Sequence, residues 1–162
     1  MVILVGMRFD NRVLLTGTCG FVVTSAIVQG MKRVLFSGQL RPMALIPANV
    51  PVHLVEGMMP NTHFSFPSGH AATIFAAICL IHFLVAKKPL WLSLMLLILA
   101  CTVAYSRIYL CQHFYRDIYV GGLIGTCTMA LVYGILKNWP GPSWLDQRFL
   151  ARLAVLWRVN NR

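Results

Sequence analysis

Four stretches almost free of charge constrain this chain more than anything else in its sequence. Residues 13–31 contain no Asp, Glu, Lys, Arg or His over 19 positions, which as a helix reaches about 28 Å, close to the hydrocarbon thickness of a bilayer. Residues 64–86 form a second run, interrupted only by His70 and His82. Residues 89–106 make a third and 118–136 a fourth. With 58% hydrophobic and 11% charged residues, the composition excludes an ordinary soluble domain. The expected fold is all-α, a polytopic membrane bundle of four transmembrane helices. The amino-terminal "MVILVG" is too short for a secretory h-region, so the first span itself is expected to direct insertion.

Four crossings divide the cations unequally. Arg8, Arg12, Lys87, Lys88, Lys137, Arg148, Arg152, Arg158 and Arg162 fall on one face, and Lys32, Arg33, Arg41, Arg107 and Arg116 on the other. The face with nine charges is expected to be cytoplasmic. The net charge of +10 thus describes topology and contact with anionic headgroups, and calls for no nucleic acid.

The opposite face collects the unusual polar clusters: "KRVLFSGQLRP" at 32–42, "PSGH" at 67–70 and "SRIYLCQHFYRD" at 106–117. Arg41, Arg107 and either Lys32 or Arg33 supply up to three cations at one water–membrane boundary, suited to a phosphate. Ser68 and Gly69, just before a helix that begins near His70, offer a hydroxyl and backbone N–H groups at the positive end of its dipole. His113 and Asp117 are four apart, so they share a face if the last helix extends back to His113. A carboxylate on one ring nitrogen fixes the tautomer and leaves the other free to attack. His70 then serves as general acid to a leaving alkoxide. The scheme needs no metal and no cofactor.

The "PSGH" and "SRIYLCQHFYRD" segments resemble the second and third signature motifs of the type 2 phosphatidic acid phosphatases, integral-membrane lipid phosphate phosphatases. The resemblance implies that His113 is a nucleophile forming a phosphohistidine, Asp117 its orienting partner and His70 the acid. It implies phosphate binding by Ser68, Gly69, Arg41 and Arg107. The family's first motif has a lysine six residues ahead of an Arg-Pro pair; here the pair is Arg41 and Pro42, and the matching place is Val34. Lys32 is favoured over Arg33 as the remaining phosphate ligand, because the chain leaves the first span there and a bulge absorbs the extra residues. The family has six spans, so this chain corresponds to the last four. The implied substrate is a lipid phosphate in a bacterial inner membrane, with the site facing the periplasm. Two rivals stand beside that reading: a non-catalytic or truncated relative, and a vanadium haloperoxidase, a soluble class that four spans disfavour.

Other features read as structural. His82 is expected to be a packed, hydrogen-bonded histidine in mid-span. His53, Glu56 and His63 lie in the long outward loop, by default a solvated one. Gly121 and Gly125, at small-xxx-small spacing, predict close helix packing. The five cysteines show no metal-ligand spacing. Residues 1–137 form the expected core. Residues 138–162 form an expected cytoplasmic-side tail, with Arg148 and Arg152 on one side of an amphipathic helix and Leu150, Leu153 and Trp157 on the other.

Overall fold

The computed structural model describes residues 10–47, 49–50, 61–85 and 89–146. Four helices dominate: α1 Asn11–Gly30, α2 Gly69–Leu84, α3 Leu90–Tyr109 and α4 Tyr115–Asn138. By length and composition α1 with its extension to Leu35, α3 and α4 are each sufficient to cross a membrane. α2 is apolar but has 16 residues, about 24 Å of helix. It starts later than the apolar run does, because residues 65–68 are not helical.

Local chemistry accounts for the helix ends. The Asp10 carboxylate caps α1 by accepting from Val13 N at 3.3 Å, and the Ser68 hydroxyl caps α2 by accepting from Ala71 N at 3.4 Å. At the other end of the bundle, Arg12 Nη1 donates to the carbonyls of Leu136 at 2.6 Å and Trp139 at 2.8 Å, so a cation neutralises the negative end of α4. Asn11 Nδ2 donates to Trp144 O at 2.8 Å, and the 3-10 turn Ser143–Asp146 buries Leu145 completely. The expected amphipathic helix beyond that turn lies outside the described residues, as do His53 and Glu56.

Small residues set how closely the helices approach. A Cβ added to Gly121 would collide with Ser68 O, and one added to Gly125 with Ala72 O. These two glycines therefore let α4 rest directly on the backbone of α2, running parallel to it. α1 packs against both, with Gly17 beside Leu80 and Gly20 beside Met129. α3 packs on α2, where Ser93 Oγ and His82 Nδ1 are hydrogen-bonded at 3.2 Å. Ala71, Ala104 and Ile118 bring α2, α3 and the start of α4 into one apolar cluster with Phe75 and Ile108 around it.

The loops at the end of the bundle that carries the histidines are laced together. Leu40 pairs with His63 in a single antiparallel bridge, Arg41 N donates to Thr62 O at 2.9 Å, and Ser65 N donates to Gln39 O at 3.2 Å. Met43 N donates to Cys111 O at 3.1 Å, which ties the helical turn Pro42–Leu45 to the α3–α4 connection. Phe64 and Cys111 both hold positive φ, 59° and 51°, a conformation that costs a bulky residue energy and persists only where surroundings enforce it.

Candidate active site

Between the laced loops and the helix ends lies a cavity of about 530 Å³. Lys32 and the Gln29 side of α1, Arg41, Gly69 and His70 at the start of α2, and His113 line its polar end; Val28, Ala72, Ile74, Ala77 and Val103 give it apolar walls. Cations and imidazoles thus share one space with hydrocarbon.

Lys32 reaches that space through a local irregularity. Residues Met31–Leu35 form a π-helical turn at the end of α1, which accommodates extra chain relative to an α-helix. It leaves Lys32 8% exposed while Arg33 is exposed and Val34 is 78% exposed. Lys32 Nζ donates to Phe64 O at 3.0 Å. Of the two residues left open by the sequence, Lys32 is therefore the one at the cavity. Arg41 is held by a hydrogen bond from its Nε to His63 O at 3.0 Å. Burial lowers its pKa, yet a guanidinium stays charged at neutral pH.

His113 is only 2% exposed, and it lies outside helix α4, contrary to the expectation of a shared helical face. Phe114 is the N-cap, and Asp117, the third residue of the helix, reaches back to accept from Phe114 N at 3.0 Å. This brings Asp117 Oδ2 to 3.5 Å from His113 Nδ1. The backbone N–H of His113 donates to Arg107 O at 3.3 Å, which fixes the loop from the other side. With Nδ1 turned to Asp117, Nε2 is the ring atom left for the cavity. Burial lowers the His113 pKa; the nearby Asp117 carboxylate opposes this, while Arg41 and Lys32 reinforce it.

Asp117 is completely buried. Its Oδ2 also accepts from the Ser65 hydroxyl, a contact between residues 52 apart that no motif spacing announces. Its Oδ1 has no hydrogen bond among the described residues, with Arg116 Nε 3.5 Å away.

Two of the expected phosphate ligands are placed differently. Ser68 is fully buried behind the cavity wall, its hydroxyl capping α2 and its N–H donating to Asp117 O at 2.8 Å. What the α2 terminus offers the cavity are Gly69 and His70, whose N–H groups belong to a first turn that has no intrahelical acceptor. Arg107 does not line the cavity; its Nη1 donates to Gln112 Oε1 at 3.4 Å and its Nε to Ser106 Oγ at 3.2 Å. Among the described residues no three of His, Cys, Asp and Glu come together as a metal site.

The sequence matches the PAP2 superfamily over residues 13–140. It is 31% identical over 116 residues to the undecaprenyl-diphosphatase of Sulfolobus acidocaldarius, covering 72% of this chain and 52% of that protein. It is 32% identical over 113 residues to the lipid A 4'-phosphatase of Bacteroides thetaiotaomicron, covering 65% and 49%. The chain thus spans about half the length of these two relatives. The fold resembles the crystal structure of Aquifex aeolicus LpxE with a TM-score of 0.60 at 25% identity, covering 74% of this chain and 66% of that one.

Proposed function

Because the chain belongs to the PAP2 superfamily, we propose that it is a membrane phosphatase that removes a terminal phosphate from a lipid phosphomonoester or diphosphate. One observation carries the reading: His113, backed by buried Asp117, shares a cavity with Lys32, Arg41 and His70. The relatives named as acting on undecaprenyl diphosphate and lipid A support a lipid substrate.

The chemistry follows from the placement of the side chains. His113 Nε2 attacks phosphorus as the bond to the lipid oxygen breaks, and His70 delivers a proton to that oxygen. Lys32 and Arg41, with the N–H groups at the start of α2, hold the equatorial oxygens through the transition state. Water then attacks the phosphohistidine, passing a proton to His70 while the P–N bond breaks and phosphate leaves. Arg107 enters this scheme as a phosphate ligand only if its side chain turns from Gln112 toward the cavity when substrate binds; Ser68 contributes by fixing the α2 terminus. The apolar walls below the cations receive the first part of the lipid tail. No step calls on a metal.

By the distribution of Lys and Arg, the cavity faces away from the cytoplasm, in a bacterium toward the periplasm. The test is phosphate release from a panel of lipid phosphates by detergent-solubilised protein in EDTA. Release that disappears in His113→Ala is the expected result; release that survives in His113→Ala, or none by folded parent protein, overturns the proposal.

A further inference from the structure

We infer that Ser65 is a positioning residue for the reaction, holding the carboxylate that orients His113. The inference rests on the His113 reading above and adds to it a residue outside the three motifs.

Asp117 needs fixing from outside its own helix. The N-cap contact from Phe114 N holds Oδ2 along the helix axis, but a carboxylate can still swing about its side-chain torsions. The His113 Nδ1 contact, at 3.5 Å, is too long to prevent that alone. The Ser65 hydroxyl donates to the same Oδ2 from a different segment, and Ser65 is 0% exposed, so water cannot replace it. A second donor from a second direction defines where Oδ2 stands, and with it where Nδ1 is drawn.

Ser65 is itself held in place. Its N–H donates to Gln39 O at 3.2 Å, the Gln39 side chain accepts from Arg116 Nη2 at 2.6 Å, and Arg116 Nε stands 3.5 Å from Asp117 Oδ1. Asp117, Ser65, Gln39 and Arg116 therefore close a polar circuit through three segments of chain. Gln39 is two residues before Arg41, so the circuit also sets the Arg41 loop relative to His113. The Ser65 hydroxyl is its one member that is fully buried and bonded directly to the carboxylate oxygen facing the imidazole.

The experiment compares Ser65→Ala, Ser65→Cys and Ser65→Thr with the parent in detergent, measuring kcat, KM and product inhibition by inorganic phosphate, which probes the phosphate-binding groups. Ser65→Ala is expected to lower kcat about 10-fold to 100-fold, with KM and inhibition by inorganic phosphate within about threefold of the parent, since Lys32 and Arg41 are untouched. Ser65→Thr restores the hydroxyl and most of kcat. Ser65→Cys, with a weaker donor of similar size, falls between. Unchanged kcat in Ser65→Ala, or a loss matched by an equal loss of affinity for inorganic phosphate, assigns Ser65 to packing and overturns the inference while the phosphatase reading stands. Parent protein without phosphate release, or release that persists in His113→Ala, overturns that reading and the role of Ser65 with it.

Discussion

Gly121 of α4 lies so close to Ser68 that the backbone of α2 occupies the space a methyl group would need. Ser68 caps α2 and donates its N–H to Asp117 O, so this one contact joins the helix that carries His70 to the helix that carries Asp117. The glycine spacing that brings two helices together also sets the distance between the helix of His70 and the Asp117 carboxylate.

A methyl group at Gly121 or Gly125 meets backbone atoms that cannot rotate away. Gly121→Ala and Gly125→Ala are expected to destabilise the protein by roughly 1–3 kcal/mol or more and to lose most phosphate release. A Cβ added at Gly134 meets nothing within 4 Å among the described residues, so Gly134→Ala should leave activity unchanged and gain up to about 1 kcal/mol from helix propensity. Thermal unfolding in detergent, with phosphate release measured in parallel, checks the contrast; equal behaviour of all three would refute it.

Lys32 and Arg33 are adjacent cations with opposite surroundings. Lys32→Met removes a buried charge from the cavity and leaves the Phe64 carbonyl without its donor; kcat/KM should fall roughly 10²-fold to 10³-fold, as for loss of one transition-state donor. Arg33→Met alters an exposed side chain and should stay within about twofold of the parent. Steady-state rates on a single lipid phosphate settle the order.

The apolar runs are legible in the sequence because a membrane helix must satisfy its backbone internally and exclude charge. Gly121 and Gly125 are legible for a related reason, since close helix approach needs small residues at fixed spacing. The location of Lys32 is less so, because it depends on a π turn that residue type does not encode. Ser65 is not legible at all: its bond to Asp117 arises from how residues 62–65 lie beside 39–41, a tertiary pairing with no periodic signature. The proximity of His113 and Asp117 is predicted by their spacing, but its cause is an N-cap that reaches backward rather than one continuous helical face.

Asp117→Asn keeps the shape of the side chain and removes its charge. In the proposed mechanism His113 then loses the partner that fixes its tautomer and stabilises its cationic character in the transition state, and kcat should fall roughly 10²-fold to 10⁴-fold. Acid quenching destroys the P–N bond of a phosphohistidine, so an alkaline quench with labelled substrate is the suitable trap. Label retained on the parent and absent from His113→Ala is expected; label on His113→Ala would assign the nucleophile elsewhere.

The pH dependence of kcat/KM tests the electrostatics of His113 directly. Burial and the charges of Arg41 and Lys32 hold its pKa below the ordinary histidine value of 6.5, against the opposing pull of Asp117. In the proposed mechanism the attacking imidazole is then neutral at pH 7, and the acid-side fall attributable to it should come below pH 6.5. Removing a nearby cation makes protonation easier, so Arg41→Gln should move that fall to higher pH as well as lowering the rate. Removing the carboxylate makes protonation harder, so Asp117→Asn should move it lower. Stability follows the same sign: below pH 6.5 the unfolded chain binds a proton here that the folded chain resists, so the His113 contribution turns destabilising as pH falls through that value. Acid-side midpoints that move together in Arg41→Gln and Asp117→Asn would show that the limb belongs to another group.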